Sequence, residues 1–158
     1  MEQVAAWIRR GLFPVKSLSE IPRAAEQRQI GMKILIAEDN LVMAHVLQFN
    51  LERAGFDVHA AADGALALEA AMDETFDVVI TDYQMPRMNG EELVRQLRTF
   101  PEYMDTPVVL CSAKGYEIDT AQLERDLGIA EVVYKPFSPA HIVELITALT
   151  ATLETAGV

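Results

Sequence analysis

The sequence predicts an α/β protein: a three-layer sandwich built on a five-stranded parallel sheet, with an N-terminal extension. Three observations lead there. From Lys33 onward, short β-branched runs alternate with longer segments of helical period. Five such strand–helix pairs fit the 158 residues with short loops. The helical segments also carry start and stop residues at the ends where a helix needs them.

Residues 1–31 form the extension. Val4, Ala5, Ile8 and Leu12, with Trp7 beside them, permit a short amphipathic helix over residues 2–11. Pro14, Pro22 and Gly31 then mark a bent connection as far as Met32. A packed helix, a disordered leader and a segment merely upstream of the core all remain open, although Trp7 is a large hydrophobe to leave in water.

The body spans 32–153, with a tail at 154–158. Strands are expected at 33–37, 56–60, 76–81, 107–111 and 131–134, and helices at 41–53, 64–73, 90–98, 117–127 and 139–153. Asn40 caps the first helix and Gly55 ends it; Asp63 caps the second; Gly128 ends the fourth; Ser138-Pro139 opens the last. The first helix is expected to pack through Val42, Val46, Phe49 and Arg53 with Leu47 and Leu51 nearby, leaving Gln48 and Glu52 outside. The last repeats the pattern with Ile142, Leu145, Ile146 and Leu149.

Composition narrows the function. Net charge is −11, and residues 1–31 carry five basic and three acidic residues against eight basic and 21 acidic in the remainder. So acidic a body argues against direct attachment to nucleic acid or to an anionic membrane. No apolar run approaches the roughly 18 residues that would span a bilayer, and Glu2-Gln3 does not open a secretory signal, so a cytoplasmic protein is expected. The single cysteine, Cys111, excludes an intramolecular disulfide and sits where a small core residue is common.

The chemistry lies where the strands end. Glu38 and Asp39 follow Ile34-Leu35-Ile36, Asp82 follows Val78-Val79-Ile80, Ser112 follows Val108-Val109-Leu110, and Lys135 follows Val132-Val133. In an open parallel sheet such positions meet at the crevice beyond the carboxyl ends of the strands. Three carboxylates, a hydroxyl and an ammonium suit a divalent cation and a phosphoryl group. Asp82 can attack phosphorus and become an acyl phosphate. Asp39 and Asp82 can hold magnesium, which prefers oxygen ligands, with Glu38 contributing directly or through water. Lys135 offers a point charge to the phosphoryl group and Ser112 a hydroxyl donor. Plainer readings stand beside these: an acidic helix start at Glu38-Asp39, an ion pair between Lys135 and Asp82, a turn at Ser112. Three acids together nevertheless repel unless a cation, a proton or Lys135 offsets them. The isomer of the Lys135-Pro136 bond is open, with a general preference for trans.

Ile36-Ala37-Glu38-Asp39-Asn40, the run Asp82-Tyr83-Gln84-Met85-Pro86-Arg87-Met88-Asn89-Gly90, Ser112-Ala113 and Lys135-Pro136-Phe137 together resemble the receiver domains of bacterial response regulators, over about residues 32–153. The resemblance implies a flavodoxin-like strand order 2-1-3-4-5. It also implies that Asp82 is the phosphoacceptor and that Asp39, Asp82 and the backbone carbonyl of Gln84 bind Mg2+, with Glu38 acting through water. Lys135 and Ser112 would hold the phosphoryl group, assisted by the backbone N–H groups of Tyr83 and Ala113. Gln84 and Lys114 occupy positions that influence acyl-phosphate lifetime, by ordering or by blocking the hydrolytic water. The switch would involve Ser112. Val132 stands where the family often has an aromatic residue, and Tyr134 is the nearby aromatic. By strand alternation Val132 and Tyr134 share a face opposite Val133.

The implied protein is a stand-alone, chemotaxis-regulator-like switch rather than a metabolic enzyme. A sensor histidine kinase or phosphotransfer protein would phosphorylate it, and it would slowly release the phosphate itself. With no output domain expected after Val158, it would signal to a downstream protein, with a homodimer contact as one role open to the extension. A phosphorylation-independent binding module is the main rival. An aspartate-nucleophile phosphohydrolase is the second, weakened because Gln84 stands where that chemistry commonly has another acid.

Overall fold

The computed structural model describes residues 31–113 and 118–156. The expected helix at 2–11, Lys114 and the first residue of the expected 117–127 helix fall outside them. In chain order the elements are β1 (Lys33–Ala37), α1 (Leu41–Arg53), β2 (Asp57–Ala61), α2 (Gly64–Asp73), β3 (Val78–Asp82), α3 (Gly90–Leu97), a 3-10 turn (Pro101–Tyr103), β4 (Val108–Ser112), α4 (Thr120–Leu127), β5 (Glu131–Tyr134) and α5 (Pro139–Ala156). All four strand pairs are parallel and the order is β2-β1-β3-β4-β5. The expected flavodoxin-like order is therefore the observed one.

Alternation along the strands divides the core in two. Ile34, Ile36, Val58, Val78, Ile80, Val109, Cys111 and Val133 face α1 and α5, meeting Leu47, Leu51, Ile142, Leu145, Ile146 and Leu149. Leu35, Ala37, Val79, Val108, Leu110 and Val132 face α2, α3 and α4 on the other side. Both faces of the central strands are covered, which is why β3 and β4 read as continuous apolar runs buried at every position.

Local chemistry sets the boundaries. Asn40 Oδ1 accepts from the N–H groups of Val42 and Met43 at the start of α1. Asp63 caps α2 through the Leu66 N–H, and Asn89 and Glu92 form a reciprocal capping box on α3. Asp119 caps α4, which closes at Gly128 in the left-handed conformation with φ +63°. Ser138 Oγ accepts from His141 N–H at the head of α5.

Several expectations need correction. The second, third and fourth strands begin and end one or two residues later than read, so Asp82 and Ser112 are the last residues of β3 and β4 rather than the first beyond them. Helix α3 stops at Leu97, and α5 runs on to Ala156, through three residues assigned to the tail. The largest correction concerns α1. Its buried residues are Ala44, Leu47 and Leu51, whereas Val42 is 73 % exposed and Phe49 59 %. At about 100° per residue, positions 42, 46, 49 and 53 lie on the side opposite 44, 47 and 51. The helix carries two apolar stripes, and the sheet takes only one.

Candidate functional site

The same alternation that sorts the core assembles the site. Glu38 continues the face of Ile34 and Ile36, Asp82 that of Val78 and Ile80, and Lys135 that of Val133. Backbone pairing extends the ladder far enough to hold them there: Glu38 N–H donates to Ala61 O at 3.1 Å, and Lys135 N–H to Ser112 O at 2.8 Å. Three side chains distant in sequence thus converge at the carboxyl edge of the sheet.

Their contacts are close. Glu38, Asp39 and Asp82 each present a carboxylate oxygen within 4.8 Å of the others. Lys135 Nζ donates to Glu38 Oε2 at 3.0 Å and lies 3.2 Å from Asp82 Oδ2. The other oxygen of Glu38 accepts from Asn40 N–H at 3.0 Å. Glu38 and Asp82 are buried, whereas Asp39 is exposed at the mouth.

Burial raises the pKa of Asp82, against the pull of Lys135, and burial likewise raises that of Glu38, against the Asn40 N–H and Lys135. Burial by itself would lower the pKa of Lys135, but its bond to Glu38 and the charge of Asp82 carry it upward overall. The pocket therefore penalises its carboxylates more than one ammonium relieves. A hard divalent cation would supply the missing positive charge through oxygen ligands, so the donor set fits Mg2+. Cys111, immediately before Ser112, is buried with its thiol pushed up to about 12, which makes it a core residue rather than a nucleophile.

The remaining candidates fall around this center. Ser112 is buried at the end of β4, and Ala113 follows it, exposed. Gln84 is exposed in the loop after β3. The Tyr83 N–H, expected to assist a phosphoryl group, donates to Cys111 O at 2.8 Å, so it serves the sheet ladder first; it also faces Asp82, whose pKa it draws down. Val132 is buried against α2–α4, whereas Tyr134 is 40 % exposed and pairs in register with Ser112. The Lys135-Pro136 peptide is cis.

Sequence reasoning missed how the loop after β3 is braced. Arg87, with φ +67°, pairs its guanidinium with buried Asp63 at the head of α2. Gly64 lies so close that a Cβ there would stand 2.4 Å from Met88 O. On the other side, Gly90 N–H donates to Tyr83 O at 2.9 Å, and a Cβ at Gly90 would stand 2.3 Å from Asp82 O. Asp63 was legible only as a cap, because its pairing with Arg87 depends on where the fold brings the two together.

A five-stranded parallel α/β sandwich with an acidic, lysine-bridged crevice at its carboxyl edge defines a class of signalling module. Residues 34–147 match the response regulator receiver domain family, and the chain belongs to it. Over 128 residues it is 36% identical to the alkaline phosphatase synthesis transcriptional regulatory protein PhoP of Bacillus subtilis (strain 168), covering 81% of this chain and 52% of that protein. The chain thus spans about half the length of this curated relative. Among solved structures, the Vibrio cholerae chemotaxis protein CheY4 superposes with a TM-score of 0.70 at 30% identity, covering 75% of this chain and 98% of that one. A response regulator protein from Burkholderia multivorans gives 0.63 at 35% identity, covering 75% and 94%. Among the described residues, no helix is long and apolar enough to cross a membrane.

Proposed function

We propose that this receiver domain is a magnesium-dependent phosphoacceptor switch that takes a phosphoryl group on Asp82 and signals to a protein partner. The observation that carries the reading is the clustering of three carboxylates within 4.8 Å with Lys135 Nζ 3.0 Å from Glu38 and 3.2 Å from Asp82. Family membership supports a sensor histidine kinase or phosphotransfer protein as donor.

In this reading Asp39, Asp82 and the backbone carbonyl of Gln84 hold Mg2+. Glu38, with one oxygen on Asn40 N–H and the other on Lys135, acts through water. When bound, the cation offsets charge on the transferred oxygens. A carboxylate oxygen of Asp82 forms the new bond to phosphorus as the donor's P–N or P–O bond breaks, and the leaving group departs with that electron pair. Lys135 then moves from its carboxylate partners to a phosphoryl oxygen, and Ser112 donates its hydroxyl to another. Ala113 N–H assists, with Tyr83 N–H shared with the ladder. Gln84 and Lys114 set the lifetime of the product. Tyr134, beside Ser112 in register, is the surface residue placed to report the change.

The test is incubation with acetyl phosphate, with and without Mg2+, followed by intact mass of the wild type and Asp82→Asn. Wild type gains one phosphoryl group only with Mg2+, and the variant gains none. Absence of labelling under conditions that label another receiver would instead leave a binding module that works by contact alone.

A further inference from the structure

We propose that residues 2–12 of this chain cover the outward apolar stripe of α1. Val42 is 73 % exposed, Val46 36 % and Phe49 59 %, while the opposite stripe is already seated on the sheet. Arg53 extends the outward stripe, its guanidinium 5.6 Å from the center of the Phe49 ring.

Several features favour this occupant over a second molecule. Val4, Ile8 and Leu12 recur every fourth residue with Trp7 alongside, a pattern that matches the turn-by-turn spacing of Val42, Val46 and Phe49. The segment is also within reach. Asp57 N–H donates to Met32 O at 2.9 Å, so the chain enters β1 beside the end at which α1 finishes. The 20 residues from 13 to 32 have a root-mean-square span of about 25 Å if coiled, close to the roughly 20 Å length of α1. A tether matched to its span gives a high effective concentration. That matters because a single helical stripe is far smaller than the roughly 20–30 residues a side of a stable complex between free partners. Charge agrees: residues 1–31 carry five basic and three acidic residues against an acidic body, and Arg9 and Arg10 directly follow the apolar pair Trp7-Ile8.

Trp7 is the sole tryptophan, which makes the full chain its own probe. Acrylamide quenching of Trp7 would be measured for the wild type, for Val46→Asp/Phe49→Asp, and for Met104→Asp, a control on another exposed hydrophobe (62 %). Far-UV circular dichroism and a urea melt of each protein verify the fold. Trp7 is expected to be shielded in the wild type and the control, independently of protein concentration, and to become as accessible in the α1 variant as in urea. An accessible Trp7 in the wild type overturns the proposal, as does shielding that survives both aspartates. Shielding lost on dilution assigns the stripe to a second copy and overturns it equally. Because no readout involves phosphorylation, failure here is distinguishable from failure of the phosphoacceptor reading.

Discussion

Replacing Gly90 by alanine tests how tightly Asp82, the proposed phosphoacceptor, is held by its own backbone. The added Cβ would lie 2.3 Å from Asp82 O, 3.0 Å from Leu110 Cδ1 and 3.1 Å from Asp82 C. The Asp82 peptide must retreat by about 0.7 Å for the contact to reach even 3.0 Å. The helix start cannot readily yield instead, because Gly90 N–H is bonded to Tyr83 O at 2.9 Å. Forcing atoms into a packed site costs about 1–3 kcal/mol, and alanine returns at most about 1 kcal/mol as the better helix former. A net loss of about 1–2 kcal/mol is therefore expected in urea denaturation. The effect on labelling should be larger in proportion, since a displacement approaching 1 Å costs up to about 100-fold in rate. The assay is the initial rate of phosphoryl incorporation from acetyl phosphate at saturating Mg2+, followed by intact mass. A Gly90→Ala protein with wild-type stability and labelling rate would refute the reasoning, because the loop would then have absorbed the methyl group without moving Asp82.

Tyr103→Phe should destabilise the fold by about 1–3 kcal/mol, since the buried hydroxyl lies 2.9 Å from Ala71 O and 2.8 Å from Glu74 O and accepts from Phe76 N–H at 3.3 Å. Labelling with acetyl phosphate should be unchanged well below the melting temperature, and an unaltered urea midpoint would contradict this accounting. Mg2+ should raise the thermal midpoint, by the equivalent of about 2.7 kcal/mol at 100 times its dissociation constant. Because the folded pKa values of Glu38 and Asp82 are raised, protons compete with the cation at a higher pH than at free carboxylates. The Mg2+ effect should be complete near neutrality and fade on acidification before the ordinary carboxylate range is reached. A Mg2+ shift that persists undiminished to pH about 4 would exclude these two groups as the competing sites.

The fold was legible because its strands are short apolar runs between capped helices, and those signals are local. Asn40, Asp63 and Gly128 act where they were read. Strand edges were less legible, since polar Asp82 and Ser112 complete ladders by pairing with Cys111 and Tyr134. A residue's own character does not reveal that its neighbour's backbone will hydrogen-bond to it. The stripe on α1 was misassigned for a related reason. Two apolar stripes on one helix have the same period, and which of them meets the sheet depends on the exit angle from β1. At the site, residue identities pointed to a pocket and to the ion pair of Lys135 with Asp82, but the second bond of Lys135, to Glu38, and the bracing of Arg87 on Asp63 are tertiary facts without a local signal.

Lys135 links the chemistry of the proposed reaction to its output. Its ammonium is shared by two buried carboxylates, while its backbone N–H is bonded to Ser112 O. Phosphorylation of Asp82 would draw that ammonium toward new oxygens, and the Ser112 hydroxyl would be drawn to the same group. The two attractions act on residues joined by one backbone hydrogen bond, so β4 and β5 must adjust together at their carboxyl ends. Tyr134 lies between them in the chain of contacts, adjacent to Lys135 in sequence and opposite Ser112 in register, with its ring already partly in solvent. Replacing Val132 would therefore disturb packing beneath α4, whereas replacing Tyr134 would alter the surface that the proposed phosphorylation of Asp82 would move. In a fold whose core resists continuous deformation, that surface is the least costly place for the two arrangements to differ.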